Sequence, residues 1–418
     1  MRTRRLIAAA FALGLLLPAP PAAAQEVLDA LDIRIGKALF KRPWVPAPAS
    51  TRGDDGLGPL FDARSCASCH PRDARAAARF DADGHLEGRG VVLMIGAPDG
   101  AGDPVYGRRL QIDAAPGLRA EGVLGARDAT LPDGRRARHP QVSDLGYGPL
   151  APASGVSLRV APDLYGRGAM ARVTDADILA VEAEQARTGG EVSGRARRIA
   201  RPDGRVEIGR FGWKSAHPTL REQTAEAFFL DLGMSNSLHG EPWGDCTPAQ
   251  AACRDAPHGQ GEGARGPEGN ALEIGDPILS RVVAYVASLP VRAPEATPAG
   301  DGARLFAGTG CAACHRPQIG AGADAARLFS DLLLHDMGEG LRDGMAEPGI
   351  APAEWRTAPL AGLSDALARD TGLLHDGRAR TVAEAIAWHG GEANGAVRRF
   401  NALSDRQKAA LIAYVSSL

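Results

Sequence analysis

The sequence predicts a mainly α protein made of two similar units, with a long loop-rich insertion in the first. Three observations predict it. The pentapeptide Cys-x-x-Cys-His occurs twice, as Cys66-Ala-Ser-Cys69-His70 and Cys311-Ala-Ala-Cys314-His315. Each copy is followed, far downstream, by a similar amphipathic segment. Glycine (52 residues) and proline (30) are abundant, which favours loops over sheet.

Cys-x-x-Cys-His is the attachment site of a c-type haem. Both thiols add across the haem vinyl groups as thioethers, and the adjacent histidine ligates iron, a main lever on haem chemistry. A zinc site would need two further soft ligands at matching spacing, and neither copy has them nearby. A thioredoxin-like pair does not need the following histidine. Two copies therefore predict two covalently bound haem c groups and electrons moving between them.

The flanks carry the duplication. Leu60-Phe61 precedes Cys66 by the offset at which Leu305-Phe306 precedes Cys311. Arg281 to Leu289 resembles Ala410 to Leu418, and each reads as a helix with one apolar stripe: Val282, Val286 and Leu289 in the first, Leu411, Val415 and Leu418 in the second. Asp276-Pro277 predicts the start of the first helix. Ser404 with Gln407 predicts a capping box at the start of the second. This is the organisation of a cytochrome c domain, used twice.

In chain order, residues 1–24 read as a secretory signal. Arg2, Arg4 and Arg5 form the basic region, Leu6 to Leu17 the apolar one, and Ala22 to Ala24 the cleavage site. The apolar run is too short for a permanent membrane span, so no permanent membrane anchor is expected. Residues 25–291 form the first haem domain. It begins with a helix over 26–42, then a proline-rich stretch from Pro43 to Pro48. An insertion of about 75–210 is expected as loops and small hairpins, with one helix near Asp175 to Ala186, covering the haems or building an entrance. Arg292 to Pro298 reads as a linker, and 299–418 as the second haem domain.

A net charge of −2 gives no reason to expect nucleic acid as a partner. Of six cysteines the haems use four. Cys246 and Cys253 remain, and in an oxidising compartment they are expected to pair. Signal, spare pair and haem motifs agree on the periplasm.

What lies above each iron decides between electron transfer and ligand chemistry. For the second haem the candidate is His389. Thr381 and Glu384 cap a helix on which Val382, Ile386 and His389 share a face, and Gly390-Gly391 ends it. His335, Met337 and His375 are alternatives, as ligands or as partners of a haem carboxylate. For the first haem His139, Lys214, His217, Met234 and His239 are available and none stands out. Trp213 reads either as an electron relay between the haems or as a core tryptophan.

The set of motifs resembles the di-haem oxidoreductase family of bacterial periplasmic proteins (thiol oxidoreductases), relatives of the di-haem cytochrome c peroxidases and of the methylamine-utilisation di-haem enzyme. The resemblance rests on Gly56 to Phe61, Val105 to Leu110, Leu145 to Leu150, Gly209 to Lys214 and Asp331 to Gly338. It continues through Glu354 to Thr357, Leu373 to Ala379 and Ala385 to Ala393. It implies that His389 stands where the peroxidases place a distal methionine, which lowers that haem's potential. It also implies that Trp213 is the inter-haem tryptophan and Gln223 a distal glutamine. The matching distal glutamate position falls on Gly233, with Asp231 nearby but out of register. The turn from Ala186 to Arg195 lacks the carboxylates that calcium would need.

The function expected is a periplasmic di-haem oxidoreductase, with peroxidase-like chemistry at the first haem. It would act on a small-molecule oxidant or reductant and exchange electrons with a periplasmic redox partner protein. The alternatives are a non-enzymatic electron-transfer cytochrome and a redox accessory to periplasmic metal uptake.

Overall fold

The computed structural model describes residues 29–50, 55–97, 100–260, 271–292, 301–322, 325–345 and 347–418. The expected secretory signal and most of the expected linker, from residue 293 on, lie outside the described residues. The helices in chain order are α1 (Ala30–Lys41), α2 (Cys66–Cys69), α3 (Arg167–Arg172), α4 (Asp175–Thr188), α5 (Leu220–Leu232) and α6 (Ala251–Arg254). They continue with α7 (Asp276–Ser288), α8 (Gly302–Gly308), α9 (Leu363–Ala368), α10 (Val382–Trp388), α11 (Asn394–Asn401) and α12 (Asp405–Ser416).

One helix crossing occurs twice. Helix α1 is opened by a capping box in which Asp29 accepts from Leu31 and Asp32 and Asp32 reaches back. It crosses α7 at Gly36, where a methyl group would overlap the Arg281 carbonyl and press on Tyr285. One turn later the Phe40 ring meets Tyr285 edge-on, 5.4 Å away at 62°. In the second unit α8 crosses α12 at Gly302, where a methyl would meet the Ala410 carbonyl and Tyr414. Phe306 again meets the tyrosine, Tyr414, at 5.6 Å and 62°. The counterpart of Leu305-Phe306 is therefore Leu39-Phe40, not Leu60-Phe61. The equal offset to the cysteines is a coincidence of spacing, because the first unit has residues 41–65 between its Leu-Phe pair and its motif where the second has only residues 307–310. The expected capping box at Ser404 and Gln407 is present. Helix α7 starts one residue earlier than read, with Gly275 as N-cap and Pro277 in the first turn.

The expectation of a mainly α fold is corrected: the chain is 33% helical and 20% strand. Much of the strand is in the insertion. Val91–Gly96 pairs antiparallel with Gly155–Val160, and Val123–Thr130 with Arg136–Ser143. Alternate residues Val91, Leu93 and Ile95 are buried, with Tyr106, Leu110 and Leu158, in a core separate from that of the helices. Each run is short enough to read as loop, yet β-branched alternation of this kind packs a half-buried sheet. Two Pro-Asp-Gly turns mark the hairpins, closed by Gly134 N–H to Leu131 O and Gly204 N–H to Arg201 O, each 2.9 Å. The helix expected near Asp175 is α4, capped by Thr174 and Asp177.

The insertion is joined to the second unit along a seam. The N–H of Ala78 donates to Thr371 O, that of Val160 to His375 O and that of Gly344 to Val156 O. Cys246 and Cys253 form a disulfide, as expected. Among the described residues no helix is long and apolar enough to cross a membrane.

Candidate functional site

The second motif opens into a cavity of about 920 Å³ whose walls come from both units. Cys311, Cys314 and His315 line one side and His389 another. Thr381 caps α10 by accepting from the Glu384 N–H, and His389 is the residue at which that helix ends. The two imidazole rings lie 6.4 Å apart, inclined at 51°. His315 Nδ1 donates to Phe329 O (3.2 Å) and His389 Nδ1 to Ala385 O (2.8 Å). A carbonyl only accepts, so both Nδ1 atoms carry the proton and both Nε2 atoms keep a free lone pair. Burial, and then the neighbouring His389, pushes His315 down to about 4, and burial lowers His389 as well. Both rings are therefore neutral, the form that ligates metal.

This arrangement fits a metal held between two rings. Metal–nitrogen bonds of about 2 Å on either side place imidazole centroids roughly 6–6.5 Å apart. Hydrogen bonding of each outer nitrogen to a carbonyl is the usual way such a ring is oriented. A cavity of this size also falls within the range of about 300–1,000 Å³ typical of cofactor sites.

At the first motif Ser65 caps α2 through Ser68 N–H, and His70 follows at its C-terminus. His70 Nδ1 donates to Pro162 O at 2.9 Å, and burial pushes its pKa down to about 4. Burial pushes the Cys66 and Cys69 thiols up to about 12. Trp44, 2% exposed, lies in the same core as Phe61 and Phe211, and its indole N–H has no acceptor among the described residues. A haem carboxylate is a fitting acceptor for such an orphaned donor.

The wall between the motifs is the segment 160–163. Pro162 lines the cavity of the second motif while its carbonyl holds His70 of the first. Trp213 lines the same cavity and donates Nε1–H to Val160 O at 2.9 Å. Trp213 thus stands at the boundary of the two motifs, two residues along the strand from the His70 anchor. Its other face carries the Arg75 guanidinium, 5.5 Å from the ring.

The other candidates occupy several different surroundings. His335 is 1% exposed and clamped between Asp331 (2.9 Å) and Glu392 (2.8 Å). Burial alone would lower its pKa, but its hydrogen bonds to Asp331, Cys314 and Glu392 reverse that and hold it at about 12. It is an imidazolium with no free lone pair, and it ties the loop after His389 to the segment beside the motif. His375 stacks on Trp355 at 3.8 Å. Lys214, fully buried, is held by Asp343 and the carbonyls of Ala351 and Pro352. His217 is bonded to Glu226 (2.5 Å), His239 stacks on Phe229 (4.7 Å), and His139 is exposed on its strand. Met234 is sealed in the core around the first motif. Gln223 sits on α5 with its amide oxygen close to Gly212, outside the cavity lining of the second motif. Sequence reasoning missed Arg75, Arg167 and Arg356, which line the cavity. They are brought there by long-range contacts, and nothing local marks them.

Residues 154–418 match the family described as "Di-haem oxidoreductase, putative peroxidase". The chain belongs to the di-haem oxidoreductase family. The matched span contains the second motif, His389 and Trp213, while the first motif precedes it. Membership in the di-haem oxidoreductases makes haem the cofactor class that the cavity is built for. No curated protein matches the chain. Among solved structures a hydrazine synthase of Kuenenia stuttgartiensis aligns over 100% of both chains at 14% identity with a TM-score of 0.38, a likeness too shallow to inform fold or chemistry.

Proposed function

We propose that this di-haem oxidoreductase is an exported, periplasmic protein that carries two covalently bound haems of unequal character. One is a closed electron-transfer site and the other an open site for a small oxidant, with peroxide as the reference substrate. The observation that carries this reading is the pairing of His315 and His389 across the cavity, whereas among the described residues the ring paired with His70 is Phe40.

Helix α5 is the counterpart of α10. It packs on crossing helix α7 as α10 packs on α12, and Thr219 caps Glu222 N–H as Thr381 caps Glu384 N–H. At the distance from Thr219 that separates His389 from Thr381 stands Ala227, which has no donor atom. When bound, haem supplies one-electron redox chemistry at each iron, and an uncapped iron can meet a small ligand.

The chain's own residues do the rest. Cys66 and Cys69, and Cys311 and Cys314, hold the two groups as thioethers. His70 and His315 would ligate the irons, each oriented by its Nδ1–H on a backbone carbonyl. His389 closes the second site. Trp213 fills the wall between the sites, where an indole is a better electron bridge than an aliphatic side chain. Gln223 is the polar group that α5 offers to a bound oxidant.

Reducing peroxide to two waters takes two electrons and two protons, and moving a proton between its oxygens calls for a free acid or base. The three carboxylates of α5 are engaged elsewhere: Glu222 by Arg201 (2.6 Å), Glu226 by His217 (2.5 Å) and Arg108 (2.9 Å), and Asp231 by Arg109. Turnover of peroxide is therefore expected to be slow, and electron exchange with a periplasmic partner protein is the second reading that this observation favours.

A haemochrome assay tests the shared premise. The holoprotein is expected to carry two covalent haems per chain. Cys66→Ala with Cys69→Ala should leave one, and Cys311→Ala with Cys314→Ala the other. Fewer than two in the parent protein sinks the reading.

A further inference from the structure

Among the described residues seven arginines are buried, and they divide by partner. Arg138, Arg159, Arg210 and Arg378 each face a carboxylate, on Asp128, Glu347, Asp175 and Asp376 in turn. Arg75, Arg167 and Arg356 are as deeply buried, at 8%, 8% and 4% exposure, and none forms an ion pair among the described residues. Their hydrogen bonds go to neutral acceptors. Arg75 donates to Gly372 O and Leu374 O, Arg167 to Asp163 O and the Met170 sulfur, and Arg356 to Gly212 O and Thr357 O. Each keeps one Nη without an acceptor among the described residues. All three line the cavity of the second motif, and the four paired ones do not.

A buried cation is tolerated when an anion answers it. Here three gather at one wall. Arg356 is pushed down to about 9 by burial and then by its neighbour Arg167, and Arg75 to about 10 by burial. Asp163, in the same wall, acts on Arg75 and Arg167 from a distance, and among the described residues no carboxylate forms an ion pair with any of the three.

We propose that Arg75, Arg167 and Arg356 receive the two propionate carboxylates of the haem held at Cys311, Cys314 and His315. The carboxylates are then buried against the wall shared with the first motif. This rests on reading that cavity as a haem site. Its consequence is that residues of the first unit, Arg75 and Arg167, set the potential of the second haem. Positive charge beside the group favours its reduced form, and guanidinium pairing keeps both carboxylates ionised, so the potential is high for a site with two imidazole ligands and flat with pH. Because Arg75 also lies over Trp213, the same clamp holds the second haem's edge to the tryptophan between the sites.

The test is a spectroelectrochemical titration of the low-spin haem in the holoprotein between pH 5 and 9, for the parent, R75Q, R167Q, R356Q and the three Arg→Lys variants. The single variants are read separately, so failure of one to fold leaves the others. Each Arg→Gln is expected to lower the midpoint of that haem. Each is also expected to make it fall with rising pH, because a released carboxylate titrates in that range. Arg→Lys should restore most of the midpoint. Two haems per chain with midpoints unmoved by any Arg→Gln would overturn the proposal and leave the haem reading standing. Fewer than two haems in the parent would instead strike that reading itself. Inorganic phosphate added to the parent is expected to leave the midpoint unchanged. A saturable shift, abolished in R356Q, would assign the arginines to a diffusible anion and overturn the proposal as well.

Discussion

Replacing His389 by alanine is expected to move one full haem equivalent of the ferric holoprotein from low spin to high spin. The ring faces His315 at 6.4 Å and its outer nitrogen is fixed on Ala385 O, so nothing else on α10 can take its place. His335, an alternative histidine of the cavity lining, is locked as an imidazolium between Asp331 and Glu392. It cannot ligate without losing a proton and breaking one of these charged hydrogen bonds. His389→Met should keep the site low-spin and raise its potential, as thioether ligation does. Electron paramagnetic resonance and optical spectra read both outcomes. An unchanged spectrum in His389→Ala removes the residue as a ligand.

The second large effect is on stability. Gly36→Val is expected to cost about 3 kcal/mol or more, at the upper end of overpacking penalties. The added atoms meet the Arg281 backbone carbonyl, which cannot rotate aside as a side chain would. Gly302→Val should do the same at the second crossing, against Ala410 O and Tyr414. Gly308→Ala is the control, since nothing lies within 4 Å of its added methyl. It should be neutral or gain up to about 1 kcal/mol from helix propensity. Thermal and denaturant unfolding of the holoproteins measure the three. Equal midpoints for Gly36→Val and Gly308→Ala would contradict the close crossing.

Features set by neighbours in sequence were legible before the fold was known. The two Cys-x-x-Cys-His motifs, the buried stripe of Leu411, Val415 and Leu418, the caps at Thr381 and Ser404, and the Cys246–Cys253 pair are all of this kind. His389 was reachable because its helix face and the glycines after it are local signals. The hairpins were hidden because their runs are short and lie among glycines and prolines, although Pro132-Asp133-Gly134 and Pro202-Asp203-Gly204 announce two turns. The true counterpart of Leu305-Phe306 was masked by a nearer Leu-Phe pair. What identifies Leu39-Phe40 is the glycine one turn before Phe40, and its reason, contact with α7, lies across nearly the whole first unit. The arginine group was invisible for the same reason. Arg75 meets Gly372 and Leu374, and no local pattern encodes a contact at that separation.

The central claim is that the two haem sites are unequal, one closed by His315 and His389 and one open above His70. Electron paramagnetic resonance of the fully ferric holoprotein tests it most directly. The expected spectrum contains one low-spin and one high-spin haem in equal amounts. Two low-spin haems in every redox state would contradict it.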